Sequence, residues 1–281
     1  MQFRFGAFAD EAAKDFAGQI EALKRNRYEF LEIRNVDGIN FTKLTLEEAK
    51  KLQEQLKENG LSVRSLGSPI GKIKIGDDFD AHLELTKHTL EMGNIFGSQY
   101  IRLFSFFMPK EEDPTQYRSL VIDRMGVLAE TAASFGIQAC HENEKGIYGD
   151  VAARCREIHE AVPALKAVFD PANFVQCGQD TLQAWEILSP YVEYMHIKDA
   201  IPGGKVVPPG QGVGNVPQLL AKYAAQGGQL LTLEPHLTAF VGLKSLENEG
   251  DESVVGHMQF ANADEAFNYA VKNLYNIVEG I

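Results

Sequence analysis

IQACHENEKGIYGDVAARCREIHEAVPALKAVFD, residues 137–170, reads as one complete strand–helix–strand unit. The β-rich run IQACHEN (137–143) leads into a polar turn. Asp150 stands where a helix cap is expected, and Cys155, Ile158 and Val162 form an apolar stripe at helical spacing. A second β-rich run, KAVFD (166–170), follows. Two strands joined by a helix-length crossover pair in parallel, because a tight hairpin can only join antiparallel neighbours.

The same unit recurs in both directions. Upstream lie FRFGAFA (3–9), FLEIR (30–34), SVRSLGS (62–68) and YIRLFSF (100–106), and downstream VEYMHIK (192–198) and LLTLEP (230–235), which with the first two runs makes eight strands. Between them are further helix signals. Thr45 and Glu48 form a capping box ahead of Ala49, Leu52 and Leu56, Asn59-Gly60 supplies a stop, and Phe16, Ile20 and Leu23 make another stripe. Eight units of about 35 residues are what a closed (β/α)8 barrel requires. A doubly wound sheet would present GxGxxG after its first strand, and none is there. The expectation is therefore an α/β chain folded as a single (β/α)8 TIM barrel domain over residues 1–281.

Composition narrows the partners. With 27 Lys plus Arg against 39 Asp plus Glu, the formal charge is −12, which disfavours a nucleic-acid binder. The N-terminus has no basic, then apolar, leader pattern, and no window reaches about 18 apolar residues, so no membrane partner is expected and a cytoplasmic location is. Cys140, Cys155 and Cys177 fit neither a CxxC motif nor a disulfide framework and read as reduced packing thiols. Assembly of several copies is left open.

In a barrel of this kind the chemistry sits at the C-terminal ends of the strands. Asp10 and Glu11, Arg34, Lys72 and Arg102 fall there in the first half. In the second half come His141 to Glu144, Asp170 and Asn173, His196, Lys198 and Asp199, and Glu234 with His236. Each alone has an ordinary reading: Asp170 could cap a helix, His196 could be a satisfied core histidine, and Glu142 and Glu234 could pair with Lys145 or Lys198. Together, Glu142, Asp170, His196 and Glu234 put a metal-competent group on four successive apolar strands, where an unpaired charge would be costly and a divalent cation would offset it. Three carboxylates and one imidazole suit Mn²⁺ first, then Mg²⁺, with Co²⁺ or Zn²⁺ admitted by the imidazole.

The segments HENEKGIYGD (141–150), VFDPAN (168–173), YMHIKDA (194–200) and LTLEPH (231–236), with ADEA, LEIR and GSPIGK in the first half, resemble the strand-end motifs of the xylose-isomerase-like TIM barrels, the sugar phosphate isomerase/epimerase superfamily. The resemblance runs over the whole chain. It implies a single divalent ion held by Glu142, Asp170, His196 and Glu234, the two glutamates also acting as acid/base groups on opposite sides of a small sugar or polyol substrate. Asn173, Lys198, Arg102, Lys72 and His236 are the expected substrate contacts. Two positions depart from the pattern. The family often has Asp-x-x-His on strand six where this chain has Asp170-Pro-Ala-Asn173, and Asn173 cannot relay a proton. Many ketose 3-epimerases follow the strand-seven His with an Arg, where here stand Lys198 and Asp199.

A metal-dependent isomerase or epimerase working by enediolate proton transfer is the expected activity. A dehydratase of an inosose-like keto-polyol shares its first step. A DNA-repair endonuclease would want more histidines and a basic groove, and a non-catalytic barrel would have lost a ligand. The loop IPGGKVVPPGQGVGN (201–215), with Lys205 best able to reach an anion, reads equally as a lid or as a surface connection. Phe104, Phe106 and Phe107 could wall the pocket or serve the core.

Overall fold

The computed structural model describes residues 3–240 and 258–281. Its eight barrel strands are β1 (Arg4–Ala7), β2 (Phe30–Ile33), β3 (Ser62–Leu66), β4 (Tyr100–Leu103), β5 (Gln138–Glu142), β6 (Lys166–Phe169), β7 (Val192–Ile197) and β8 (Leu230–Leu233). They close in the order β1-β8-β7-β6-β5-β4-β3-β2, with β2 returning to β1. Every neighbouring pair is parallel. The surrounding helices are α1 (Phe16–Arg25), α2 (Leu46–Glu58), α3 (Phe79–Phe96), α4 (Arg118–Ser134), α5 (Ala152–Ala161), α6 (Pro171–Gln176), α7 (Thr181–Leu188), α8 (Val216–Ala225) and α9 (Ala263–Glu279).

Local chemistry explains where these elements begin. Thr45 and Glu48 make the reciprocal capping box of α2, whose buried residues are Ala49, Leu52 and Leu56. Asp15 caps α1, and Phe16, Ile20 and Leu23 point into the core. Asp150 does not cap α5: the cap position is Val151, without a side-chain bond, and Asp150 instead pairs with Arg154 one turn into the helix. The strands also stop earlier than the β-rich runs do, because the final residues of each run turn away into the loops that carry polar groups. Thus β4 ends at Leu103 and Phe106 takes a left-handed φ of 66°. Phe104, Phe106 and Phe107 accordingly belong to the loop and not to the strand. Cys140 and Cys155 are buried free thiols and Cys177 is a half-buried one. Among the described residues no helix is long and apolar enough to cross a membrane.

The interior has two apolar regions. The larger lies between strands and helices. A smaller plug inside the barrel is built from Phe30, Cys140, Val168, Tyr194 and Leu230, with Tyr100 against it. This plug fills the N-terminal half of the barrel and leaves polar side chains to the other end. Phe30 fits only because residue 6 lacks a side chain, since a Cβ there would lie 2.0 Å from the Phe30 ring. Gly6→Ala should destabilise the fold by about 1–3 kcal/mol through overpacking, read from the midpoint of urea unfolding at unchanged m-value. Combining it with Phe30→Leu should recover part of the loss, and full stability in the single variant would refute the packing account.

Candidate metal centre

Above the plug, the ends of β5 to β8 bring four side chains to one place. Ligand-capable atoms of Glu142, Asp170, His196 and Glu234 all lie within 4.8 Å of one another, and all four residues are buried. His196 Nδ1 is 3.0 Å from Glu142 Oε1 and 3.6 Å from Glu234 Oε2. Glu142 Oε2 and Asp170 Oδ2 are buried without accepting a hydrogen bond. Among the described residues, the cations beside them are Arg102 Nη1 at 3.2 Å and Lys198 Nζ at 3.0 Å respectively. Two under-satisfied carboxylate oxygens and an imidazole nitrogen facing one point are the donor set that a divalent cation takes up.

Each donor is braced from behind. Asp170 caps α6 by accepting from Asn173 N, and its own N–H donates to Asn143 Oδ1 while Asn143 Nδ2 donates to its carbonyl, tying β6 to β5. Asn173 uses its amide hydrogens on Glu142 Oε1 and the Asn143 carbonyl, so this expected substrate contact holds Glu142 in place. The other ring nitrogen of His196 faces Glu32 Oε2 at 3.2 Å. Glu32 Oε1 in turn accepts from Ser65 Oγ and Tyr194 Oη. A carboxylate behind the imidazole fixes ring orientation and leaves Nδ1 to face the cluster.

Arginines and lysines complete the ring. Arg34 donates to Asp10, to Glu11 Oε1 at 2.9 Å and to Glu234 Oε1 at 2.9 Å, with its guanidinium between the Phe8 and Phe240 rings at 4.3 and 4.2 Å. Arg102 lies over Phe8 and Phe104. Lys198 Nζ is 3.0 Å from both Asp170 Oδ2 and Glu234 Oε2, which makes the expected Lys198–Glu234 pair real but not exclusive. Lys72 pairs with Glu144 across the rim, above the Phe104 ring. His236 sits beside this group with a left-handed φ of 46°, its backbone N–H donating to Glu11 Oε2 and its ring Nδ1 3.8 Å from Glu11 Oε1 and 3.9 Å from Glu234 Oε1. His141 faces away from the centre, toward Ser105 and His159.

Burial and charge together set the protonation states. Burial opposes the charge on Glu142, but His196 and Arg102 outweigh it and hold the carboxyl at about 2. Glu234 is likewise held well below the usual range, chiefly by Lys198 against the cost of burial. Asp170 goes the other way: burial raises it to about 7 despite Lys198. Burial disfavours a charged His196, yet Glu142 and Glu32 more than compensate and lift the ring well above its usual value. Burial raises Glu11 to about 8 against the pull of Arg34.

A family model described as xylose isomerase-like TIM barrel matches residues 20–249. The chain belongs to that family. Its fold is shared, over nearly the full length of both chains, with proteins of low sequence identity. The probable 3-DHS dehydratase AsbF from Bacillus anthracis is 16% identical at a TM-score of 0.75, covering 98% of this chain and 99% of its own. The IOLI protein with a bound zinc atom is 15% identical at 0.75, covering 99% and 98%. The 3-keto-D-glucoside 4-epimerase YcjR from E. coli is 16% identical at 0.69, covering 98% and 100%. No curated protein sequence matches.

Glu32 is the member of this centre that sequence reading passed over. The signal was available, for a glutamate in the middle of the apolar run FLEIR, in a strand buried along its whole length, needs a buried partner. If Nδ1 of His196 and the carboxyl of Asp170 are ligands, the protons they hold in the metal-free protein must leave when an ion enters. Calorimetric titration of the stripped protein with Mn²⁺ near pH 6.5, in buffers of different ionisation enthalpy, should show release of about one to two protons per ion, with affinity rising as pH rises. Binding without proton release would remove these two groups from the ligand set.

Proposed function

We propose that this chain is a divalent-metal-dependent isomerase or epimerase that moves a proton on a small ketose or polyol ketone. The observation that carries this reading is the placement of two ionised, buried glutamates, Glu142 on β5 and Glu234 after β8, against one cluster of metal-competent donors. A divalent ion held by Glu142, Asp170, His196 and Glu234 would polarise a carbonyl and the neighbouring hydroxyl and so acidify the C–H between them. Mn²⁺ and Mg²⁺ suit the oxygen-rich donors, and Zn²⁺, present in the IOLI protein, suits the imidazole.

The chain's own residues then do the rest. One glutamate takes the proton and the other returns one. Return to the opposite face of the same carbon is epimerisation, and return to the adjacent carbon is isomerisation. Arg34 and Lys198 hold Glu234 in place and ionised, while Asn173 and Arg102 do the same for Glu142. Lys198, Lys72 and His236 are the side chains that meet substrate hydroxyls. Phe8 and Phe104, both buried beside the arginines, keep water from the developing enediolate.

The fold likeness to a probable dehydratase supports a second reading, in which the same deprotonation is followed by loss of a β-hydroxyl. Lys198, between Asp170 and Glu234, is near enough to assist that departure.

Incubation with ketoses and inosose-type ketones and Mn²⁺ in D₂O should place deuterium on the carbon beside the carbonyl, and the product then separates epimer, isomer and alkene. Turnover without solvent exchange, after incubation long enough to exclude retention of the abstracted proton, would count against proton transfer. Glu234→Gln should lower kcat by about 10²–10⁴ while leaving thermal stability nearly unchanged. Near-normal kcat in that variant would dismiss Glu234 as an acid/base group.

A further inference from the structure

A second group of ligand-capable side chains stands beside the first, on the β1 side of Glu234. Atoms of Glu11, Glu234 and His236 lie within 4.8 Å of one another, and all three residues are buried. Glu11 ends a short 3-10 turn (Ala9–Glu11) that follows β1, and His236 follows β8, the strand that pairs with β1. Closure of the barrel therefore brings them together. Glu11 is fixed from two sides, for Oε1 accepts from Arg34 and Oε2 accepts from the backbone N–H of His236 at 2.6 Å.

Buried carboxylates alone do not make a cation site, and what sets this group apart is its imidazole. His236 is 6% exposed, and its Nδ1 makes no hydrogen bond among the described residues. It stands 3.8 Å from Glu11 Oε1 and 3.9 Å from Glu234 Oε1. A ring N–H held by either carboxylate would close on it to about 2.7–3.2 Å. Near-equal distances to two oxygens, both beyond hydrogen-bond reach, fit donors to one ion, because donors bonded at about 2.0–2.2 Å stand roughly 3–4 Å from one another. Arg34 touches the same two oxygens, each at 2.9 Å, and so competes for them. It spreads one positive charge over Asp10 as well, and a carboxylate oxygen that accepts one hydrogen bond keeps a lone pair to give.

Glu234 faces both groups. Its Oε2 is 3.0 Å from Lys198 Nζ and 3.6 Å from His196 Nδ1, on the side of the first group, while its Oε1 belongs to the second. We propose that Glu11, Glu234 and His236 form a second divalent-cation site, with Glu234 the carboxylate shared between the two. Two carboxylates and one imidazole suit Zn²⁺, Co²⁺ or Mn²⁺ better than Ca²⁺, and three protein donors leave a position for water or a substrate oxygen. His236 keeps Nε2 for the substrate. The shared role of Glu234 rests on the reading under Proposed function, and the variants below separate the two sites.

The metal-stripped full chain is titrated calorimetrically with Zn²⁺, and the ions retained after gel filtration are counted by elemental analysis. Wild type should bind two ions per chain. His236→Asn should keep one and weaken the other at least about 100-fold, since even partners behind a ligand are worth 10–100-fold in affinity. Asn tolerates the left-handed backbone at this position, so the melting temperature of the stripped protein should stay near that of wild type. Asp170→Asn, which keeps a cap residue for α6, should weaken the first ion and leave the second. One ion in wild type, lost in Asp170→Asn and untouched by His236→Asn, overturns the second site and leaves the first standing. One ion lost in His236→Asn and untouched by Asp170→Asn overturns the first and supports the second. Two ions retained in His236→Asn, or none in wild type, overturn the assignment. Should His236→Asn not fold, the isosteric Glu11→Gln serves in the same comparison.

Discussion

Among the described residues, seven carboxylates are buried at one end of a narrow barrel. Asp199 is held by backbone N–H groups, and the other six, Asp10, Glu11, Glu32, Glu142, Asp170 and Glu234, are answered by side-chain charge. Isolated ions at such depth would each carry a penalty of several kcal/mol. The answer is distributed. Arg34 takes three of the six, Arg102 and Lys198 bridge the metal-competent group, and the His196 ring lies between Glu142 and Glu32. No carboxylate has a cation to itself, so the position of each depends on the others.

The barrel makes this charge network tenable by dividing its interior. Below, Phe30, Tyr194 and Leu230 form a dry plug with Cys140 and Val168. Above, the polar side chains stand on the last residues of rigid strands, and two register shifts adjust them. Between Leu31 and Glu32, β3 slips so that Ser65 pairs with Glu32, and near Val168 β7 slips so that Tyr194 comes into register. Ser65 Oγ and Tyr194 Oη then both reach Glu32 Oε1. Tyr194 therefore belongs to both regions, its ring in the plug and its hydroxyl in the network.

How much of this was legible in the sequence depended on range. The eight strands, the capping box at Thr45 and the stripes of α1 and α2 are local patterns. The convergence of Glu142, Asp170, His196 and Glu234 was legible because four strand ends carried the same kind of group in order. What escaped was the long-range pairing. Arg34 meets Glu234 200 residues away, which no periodicity records. Glu32 did carry a signal, a carboxylate inside the apolar run FLEIR, but its partner His196 stands on another strand, 164 residues on. The glycines of 201–215 left lid and surface connection equally open, whereas Gly212 and Gly214 stand where a Cβ would collide with Asp199. Asp150 had cap chemistry, but Arg154 competed for it and won.

The same network bears on whether an ion is needed for folding. In small zinc domains the metal supplies the folding energy, because nothing else neutralises the ligands. Here Lys198 touches two of the four candidate ligands, Arg102 a third, and the fourth, His196, is held cationic by the carboxylates on either side of it. Before any ion arrives, protein cations and protons stand against the ligand charges, and the strands that carry the ligands are fixed by a plug and an outer core that contain no ligand at all. An ion entering such a site would exchange places with protons and relieve shared cations, and would not have to assemble the fold. Its binding energy would then be available for orienting a substrate, which is what a centre of this kind requires if its donors are to serve chemistry and not structure.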